Sequence, residues 1–394
     1  MESSLYLHIP FCAGTCDYCD FYSVQAQGND PRFDHFIEVL LHDVQKSIHD
    51  FRVDCVPTLY IGGGTPSRLG PRPMKRLLSG LTTILPSIPG EVTVEVNPES
   101  ATPDFISVCD ASGVTRLSLG IQSRDENARK AVGRLGKADS INRCISDIKH
   151  LFGGSLSLDL ISGLPFQTEK SLLDDIEFVS TSGANHVSLY ALTLEAGTPL
   201  YARARADKSL LPEEYEADER WIRGRDALEE KGFTQYEVSN FSRPGEESRH
   251  NGRYWRMESY IGCGPGAVGT IVDEKRSKAV RYSWPSDVDS WLNEEASTHE
   301  ANREEISRKD LIAECLIMGF RTRHGVDQAF FRKRFGASVE KFIGVTLDQW
   351  RKKGNAENDR PALTREGLLL LNGFLVSCLE ELDSTYPKYE ESRL

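Results

Sequence analysis

The sequence predicts an α/β fold, a partial (β/α)6-type barrel followed by a small α-rich domain at the carboxyl end. Three observations carry this. Strand-like runs alternate with segments of helical period through the first 240 residues, polar and sulfur-bearing residues gather at the ends of those runs, and the pattern turns helical beyond residue 300. Such alternation implies right-handed βαβ units around a parallel sheet, and six or more units favour a full or partial barrel with its chemistry at the carboxyl ends of the strands.

In order, the runs are LYLHIPF, TLYIGGG, VTVEVNP, RLSLGIQ, SLSLDLISG, HVSLYALT and QYEVSNF. Each is rich in β-branched and aromatic residues and predicts a buried strand. Between the first two, FDHFIEVLLHDVQKSIHDF places Phe33, Phe36, Ile37, Leu40, Leu41, Val44, Ile48 and Phe51 on one helical face. Three thiols follow the first run, Gly62 to Pro66 close the second, Glu95 to Pro98 the third and Gln122 the fourth, while Asp159 lies in the fifth. From residue 242, SRPGEESRHNGRYWRMESYIGCGPGA is too irregular for another βα unit and predicts a functional connector. A charged stretch at 293–310 leads into DLIAECLIMGFR, where Leu316, Met318 and Phe320 predict core, and then into ALTREGLLLLNGFLVSCLEEL with a strand-like turn in PALTREGLLLL. The expected division is a barrel over 1–241, a connector over 242–300 and a helical domain over 301–394.

At 394 residues, 39% hydrophobic and 27% charged, with a mean hydropathy of -0.40, the composition is that of a globular chain. No apolar run approaches the roughly 20 residues of a membrane span. A net charge of -12 argues against general affinity for nucleic acid, which needs clustered Lys and Arg. The nearest basic cluster, Arg332 to Arg334, reads as a solvated surface. MESSLYLHIPFC has an acidic residue and serines where a secretory signal would be basic and then apolar, which predicts a cytoplasmic location. Six of the nine cysteines (Cys55, Cys109, Cys144, Cys263, Cys315 and Cys378) stand singly, unlike a disulfide framework.

Cys12, Cys16 and Cys19 fall within eight positions in IPFCAGTCDYCDFYS. Structural zinc closes with four ligands, commonly two pairs, and no second pair lies beside these three. Three thiolates from one loop can instead hold three corners of an iron–sulfur cubane, leaving the fourth iron open to a ligand.

This CxxxCxxC spacing, with aromatic Tyr18 before the last Cys and an apolar first strand ahead of it, resembles the radical S-adenosylmethionine (SAM) superfamily. The resemblance covers almost the whole chain. It implies a [4Fe-4S] cluster held by Cys12, Cys16 and Cys19, with SAM chelated at the unique iron and cleaved by an electron from the cluster to a 5'-deoxyadenosyl radical. Gly63, Gly64 and Thr65 then match the segment for the methionyl end of SAM. Spacing across the barrel is similar to the oxygen-independent coproporphyrinogen oxidase-like subfamily, which implies further SAM contacts at Tyr6, Tyr18, Glu95, Gln122, Arg134 and Asp159.

Within that subfamily the decarboxylating enzymes carry another Cys two residues after the third ligand and an extension ahead of the barrel. Here that position is Phe21, and the barrel begins at once. CxF at this point, and His250-Asn251-Gly252-Arg253-Tyr254-Trp255 reproducing HNxxYW, resemble instead the HemW-type heme chaperones. The resemblance implies heme as a ligand with His250, Asn251, Tyr254 and Trp255 as contacts, a heme-acceptor protein as partner, and a reductant such as flavodoxin or ferredoxin. Any membrane contact would come through the acceptor. His250 reads either as a heme ligand or as a satisfied core residue, and Cys263 either as a second ligand or as a buried thiol. GPGA is followed by Val268, where many relatives have His. The alternative function is oxidative decarboxylation of coproporphyrinogen III to protoporphyrinogen IX.

Overall fold

The computed structural model describes residues 1–134, 136–293 and 299–391, so residues 294–298 of the charged stretch lie outside the described residues. Strand β1 (Ser4–Ile9) opens the chain, and a two-residue parallel pair, β2 (Phe11–Cys12) with β3 (Val24–Gln25), ties off the loop carrying the thiols. Helix α1 (Arg32–Asp50) buries Phe33, Phe36, Ile37, Leu40 and Val44, while Leu41, Ile48 and Phe51 pack partly buried against the same core. Five more strand-then-helix units follow. They are β4 (Thr58–Gly63) with α2 (Pro71–Ile84), β5 (Glu91–Val96) with α3 (Pro103–Ala111), and β6 (Arg116–Gln122) with α4 (Glu126–Ala131) and α5 (Ala138–Leu151). After these come β7 (Ser155–Ser162) with α6 (Glu169–Thr181), then β8 (His186–Ala191) with α7 (Pro199–Ala206) and α8 (Glu214–Glu230).

β1, β4, β5, β6, β7 and β8 pair in that order, all parallel, as the six-unit partial barrel requires. Their outward residues meet the helices and their inward ones the barrel interior, which is why the runs are apolar with only a few polar positions.

The seventh run behaves differently from expectation. QYEVSNF forms a short antiparallel hairpin of β9 (Thr234–Gln235) and β10 (Asn240–Ser242) against β8. Its middle turns toward the carboxyl-terminal region, with Glu237 fully buried and bridged to Thr322, and with Val238 N–H donating to the Arg321 carbonyl (2.9 Å). The irregular connector also contains more order than its composition suggests. Helix α9 (Arg249–Trp255) is capped by the Ser248 side chain, and β11 (Tyr260–Cys263) pairs parallel with β1 on its free edge. β12 (Val268–Asp273), β13 (Lys278–Ser283) and, past α10 (Val288–Asn293), β14 (Asn302–Ile306) extend the sheet antiparallel. Among the described residues the outer strands of this twelve-stranded sheet, β14 and β9, do not pair with each other, so the barrel is open.

Helices α11 (Arg308–Gly319), α12 (Gln328–Phe335), α13 (Glu340–Lys352) and α14 (Leu371–Glu391) form the helical region at the carboxyl end. They enclose a second apolar cluster that includes Leu316, Phe320, Phe331, Phe342 and Phe374. Met318 is only half-buried and faces a cavity. Arg334, expected in solvent, is buried instead. Its guanidinium pairs with Glu274 and donates to the Met257 carbonyl (3.0 Å), partners 60 and 77 residues distant. Among the described residues no helix is long and apolar enough to cross a membrane.

Candidate functional site

The thiol loop is held at both ends by backbone bonds. Val24 N–H donates to the Pro10 carbonyl (2.7 Å), Ala26 N–H to Cys12 (2.8 Å), and Asp17 N–H to Val132 (3.0 Å). Cys12, Cys16 and Cys19 are half-buried and line one cavity of about 580 Å³ at the carboxyl ends of the parallel strands. Gly63, Gly64, Thr65, Glu95, Gln122, Arg134, Asp159 and Tyr18 line the same cavity. Among the described residues no three His, Cys, Asp or Glu side chains close on one point as a single ion would need. A cubane meets each thiolate at its own iron corner and suits thiols spread along one wall.

The second strand end makes room for the loop. Gly64 N–H donates to the Ile9 carbonyl (2.8 Å) and Thr65 N–H to Phe11 (2.9 Å). A Cβ on Gly64 would sit 2.9 Å from the Pro10 carbonyl carbon, and one on Gly63, at φ +109°, would strike the His8 ring at 2.8 Å. Only glycine tolerates both the approach and the left-handed backbone. Thr65 Oγ1 lies 3.2 Å from Cys12 Sγ, and Arg134 Nη1 lies 3.7 Å from Cys16 Sγ. Burial pushes the Cys12 and Cys19 thiols up from their ordinary range.

Deeper in the cavity are two carboxylates. Glu95 accepts from Tyr60 Oη (2.7 Å) and Gly63 N–H (3.1 Å), and Asp159 accepts from Ser188 Oγ (2.8 Å) and Ser118 Oγ (3.1 Å). Enclosure in the barrel raises Glu95 to about 7 and Asp159 to about 6, with the Asp159 charge adding to the rise at Glu95. Such a pair favours a cationic guest, and the amino and sulfonium groups of SAM are of that kind. Gln122 sits at φ +59° beside a register shift, with its buried Oε1 left without a partner. Strain and an orphaned acceptor together suit a hydroxyl donor from a ligand.

The sign of the pH dependence follows. A carboxyl raised in the folded chain binds protons there that the unfolded chain has released, so stability falls as pH rises from the ordinary Glu value of 4.5 through about 7. In ligand-free protein the Glu95 contribution is on the order of a few kcal/mol. Denaturation midpoints at pH 5 and pH 8 are expected to differ less in Glu95→Gln than in the parent chain. An equal difference in both would remove Glu95 from this account.

Tyr6 does not line the thiol cavity. Its hydroxyl meets His8 Nδ1 (3.0 Å), its ring lies against Tyr60, and it borders a neighbouring cavity of about 720 Å³. Asp20 and exposed Phe21 touch both cavities. Tyr254, Trp255 and Val268 line the neighbour, whereas His250 and Asn251 line neither. His250 is 1% exposed, with Nδ1 on Thr58 Oγ1 (2.8 Å) and Nε2 on Tyr254 Oη (2.9 Å). Burial and then the Arg253 charge lower its pKa to about 3. Both ring nitrogens are thus committed within the core, and the imidazole offers no free lone pair to an iron. Cys263 is likewise a core thiol, 3.7 Å from Ser47 Oγ.

Sequence reasoning missed Ser118, Ser188 and Tyr60, which set the state of the two carboxylates. A period-two reading finds Ser118, since it shares a strand face with Gly120 and Gln122. Nothing local marks Ser188, which lies in β8, with four parallel strands of the barrel (β4 to β7) between it and the thiol loop along the chain.

Residues 6–179 match the radical SAM superfamily model and 306–370 the HemN C-terminal domain. The chain is 34% identical over 359 residues to the heme chaperone HemW of Lactococcus lactis subsp. lactis (strain IL1403), covering 91% of this chain and 92% of that protein. To HemW of Bacillus subtilis (strain 168) it is 31% identical over 385 residues, 96% and 100% of the two chains. It is 32% identical over 402 residues to the mitochondrial radical S-adenosyl methionine domain-containing protein 1 of Bos taurus, 98% and 89% of the two. Its fold is similar to that of coproporphyrinogen III oxidase (HemN) from Escherichia coli, with a TM-score of 0.80 over 96% of this chain and 90% of that one at 20% identity. Likeness from end to end, over both the barrel and the helical region, places the chain in the HemW family of the radical SAM superfamily.

Proposed function

We propose that this protein is a cytoplasmic heme chaperone that holds a [4Fe-4S] cluster on Cys12, Cys16 and Cys19, binds SAM beside it, and passes heme to an acceptor protein. The observation that carries the reading is the end-to-end likeness to heme chaperones at 34% identity, together with Phe21 where the decarboxylases carry a further Cys. When bound, the cluster supplies an electron to SAM, delivered by a reductant such as flavodoxin or ferredoxin. This chain's part is positional. Gly63 and Gly64 open their backbone to the methionyl end, Glu95 and Asp159 favour the cationic guest, Gln122 and Arg134 complete the polar wall, and Tyr18 closes over the thiols. Tyr6 acts through its contact with Tyr60, which in turn holds Glu95.

The test is anaerobic cluster reconstitution, then heme titration and 5'-deoxyadenosine detection in one sample, with a parallel incubation on coproporphyrinogen III. Heme uptake without vinyl products is the expected result. Conversion to protoporphyrinogen IX would establish the decarboxylase reading instead, and a chain that takes no heme above an unrelated barrel protein would end the chaperone reading.

A further inference from the structure

Behind α9 lies a further cavity of about 640 Å³, within the roughly 300–1,000 Å³ of small-molecule and cofactor sites. One wall is the start of β4 (Pro57, Thr58) with α9, and the other is the helical region around α11 and α12. Trp255, Val326, Phe330 and Phe331 give it an apolar lining. Four arginines, Arg249, Arg253, Arg256 and Arg334, face two carboxylates, Glu247 and Asp327. Arg253 and Arg334 are committed to carboxylates of the protein. Arg256 pairs with Glu258 in a half-open position, and among the described residues Arg249 has no carboxylate partner, its guanidinium donating only to the Gly90 carbonyl (3.3 Å).

His324 lines the same chamber, and no described residue hydrogen-bonds or ion-pairs with its imidazole. This sets it apart. His8, His186, His250 and His299 each commit both ring nitrogens to protein partners. An uncommitted imidazole over an apolar aromatic surface, with surplus guanidinium at the rim, is the chemistry of a flat metalloporphyrin bearing two carboxylates. In the 720 Å³ cavity the charges run the other way, with Asp20, Glu258 and Glu314 against Arg281 alone, and would repel propionates.

We infer that heme rides in the chamber behind α9, its iron taken by His324 and its propionates by Arg249 and Arg256, with Trp255 of the HNxxYW motif against the ring. This rests on the heme-chaperone reading above and adds where the cargo sits. Thr58 opens β4 and Gly63 closes it, so the chamber and the thiol cavity are about 16 Å apart along the strand, at about 3.3 Å per residue. Heme binding is therefore independent of the cluster.

The test titrates ferric heme into the full chain, cluster-free and reconstituted, with His324→Ala and Arg249→Ser alongside. His324 is exposed and Arg249 lies at the rim, so both variants are expected to keep the parent circular dichroism. Expected are equal heme affinities with and without cluster, and a shifted Soret band in His324→Ala with affinity lowered at least about tenfold. Added imidazole restores the band. Arg249→Ser weakens heme but not heme dimethyl ester, whose carboxylates are masked. A parent-like Soret band and affinity in His324→Ala, or heme uptake that requires the cluster, would overturn this placement while leaving the chaperone reading intact. A parent chain that binds no heme would end both.

Discussion

Cys16→Ser yields a folded chain that retains almost no iron or acid-labile sulfide after anaerobic reconstitution. A thiolate is a soft, strong ligand for iron and a serine hydroxyl a poor substitute, so the loop keeps two corners of a site that needs three. The fold does not depend on the lost sulfur. The loop is tied by backbone bonds from Asp17, Val24 and Ala26, and the apolar cluster beneath it is complete without the thiol. Circular dichroism and the denaturation midpoint of the cluster-free variant are expected to match those of the cluster-free parent. Full iron content in the variant would remove Cys16 from the ligand set. Because burial holds the Cys12 and Cys19 thiols above their ordinary range, loading releases protons, and reconstitution of the parent is favoured as pH rises.

His250→Ala is expected to cost about 3 kcal/mol of stability, combining a cavity in a close-packed interior with two lost hydrogen bonds, one of which orphans the Tyr254 hydroxyl while Thr58 keeps Ser4 Oγ (2.7 Å). Thr58 and Tyr254 each lose the partner they have in the imidazole, and Tyr60 loses the ring it packs against at 5.1 Å. The readout that separates structure from ligation is the heme spectrum. If His250 serves the core, the variant unfolds at lower denaturant yet shows the parent Soret band at temperatures where it remains folded. A Soret change at unaltered stability would make His250 the axial ligand. The pH sign follows from the same burial. Its folded pKa, about 3, lies below the ordinary 6.5, so the stability it protects is fully present above about pH 6.5 and is lost as pH falls toward 3. His186, lowered to about 3 by burial and then by Arg116, acts in the same direction.

These two residues also mark the boundary between what is local in this protein and what is not. Cys12, Cys16 and Cys19 announce themselves within eight positions, because the ligands of a compact loop must be close in sequence. The six parallel strands and the face of α1 are equally legible, since burial on a sheet or a helix imposes a period on neighbouring residues. QYEVSNF shows the limit of that signal. Its composition is strand-like, but whether such a run joins the barrel or folds back on its neighbour depends on what Arg321 and β8 offer it.

By itself, then, the sequence determined the α/β barrel, the thiol loop and the strand ends that face it, all features written over spans of a few to twenty residues. Only the tertiary structure decided what the HNxxYW residues do. His250 meets Thr58 across 192 positions and is consumed by the core, while Trp255 on the same short helix stands between two cavities. It likewise buried Arg334 against Glu274 and left His324 free beside it. The reason is physical. A side chain's chemistry is set by its identity, but its availability is set by which distant partners satisfy it, and folding alone brings those partners together.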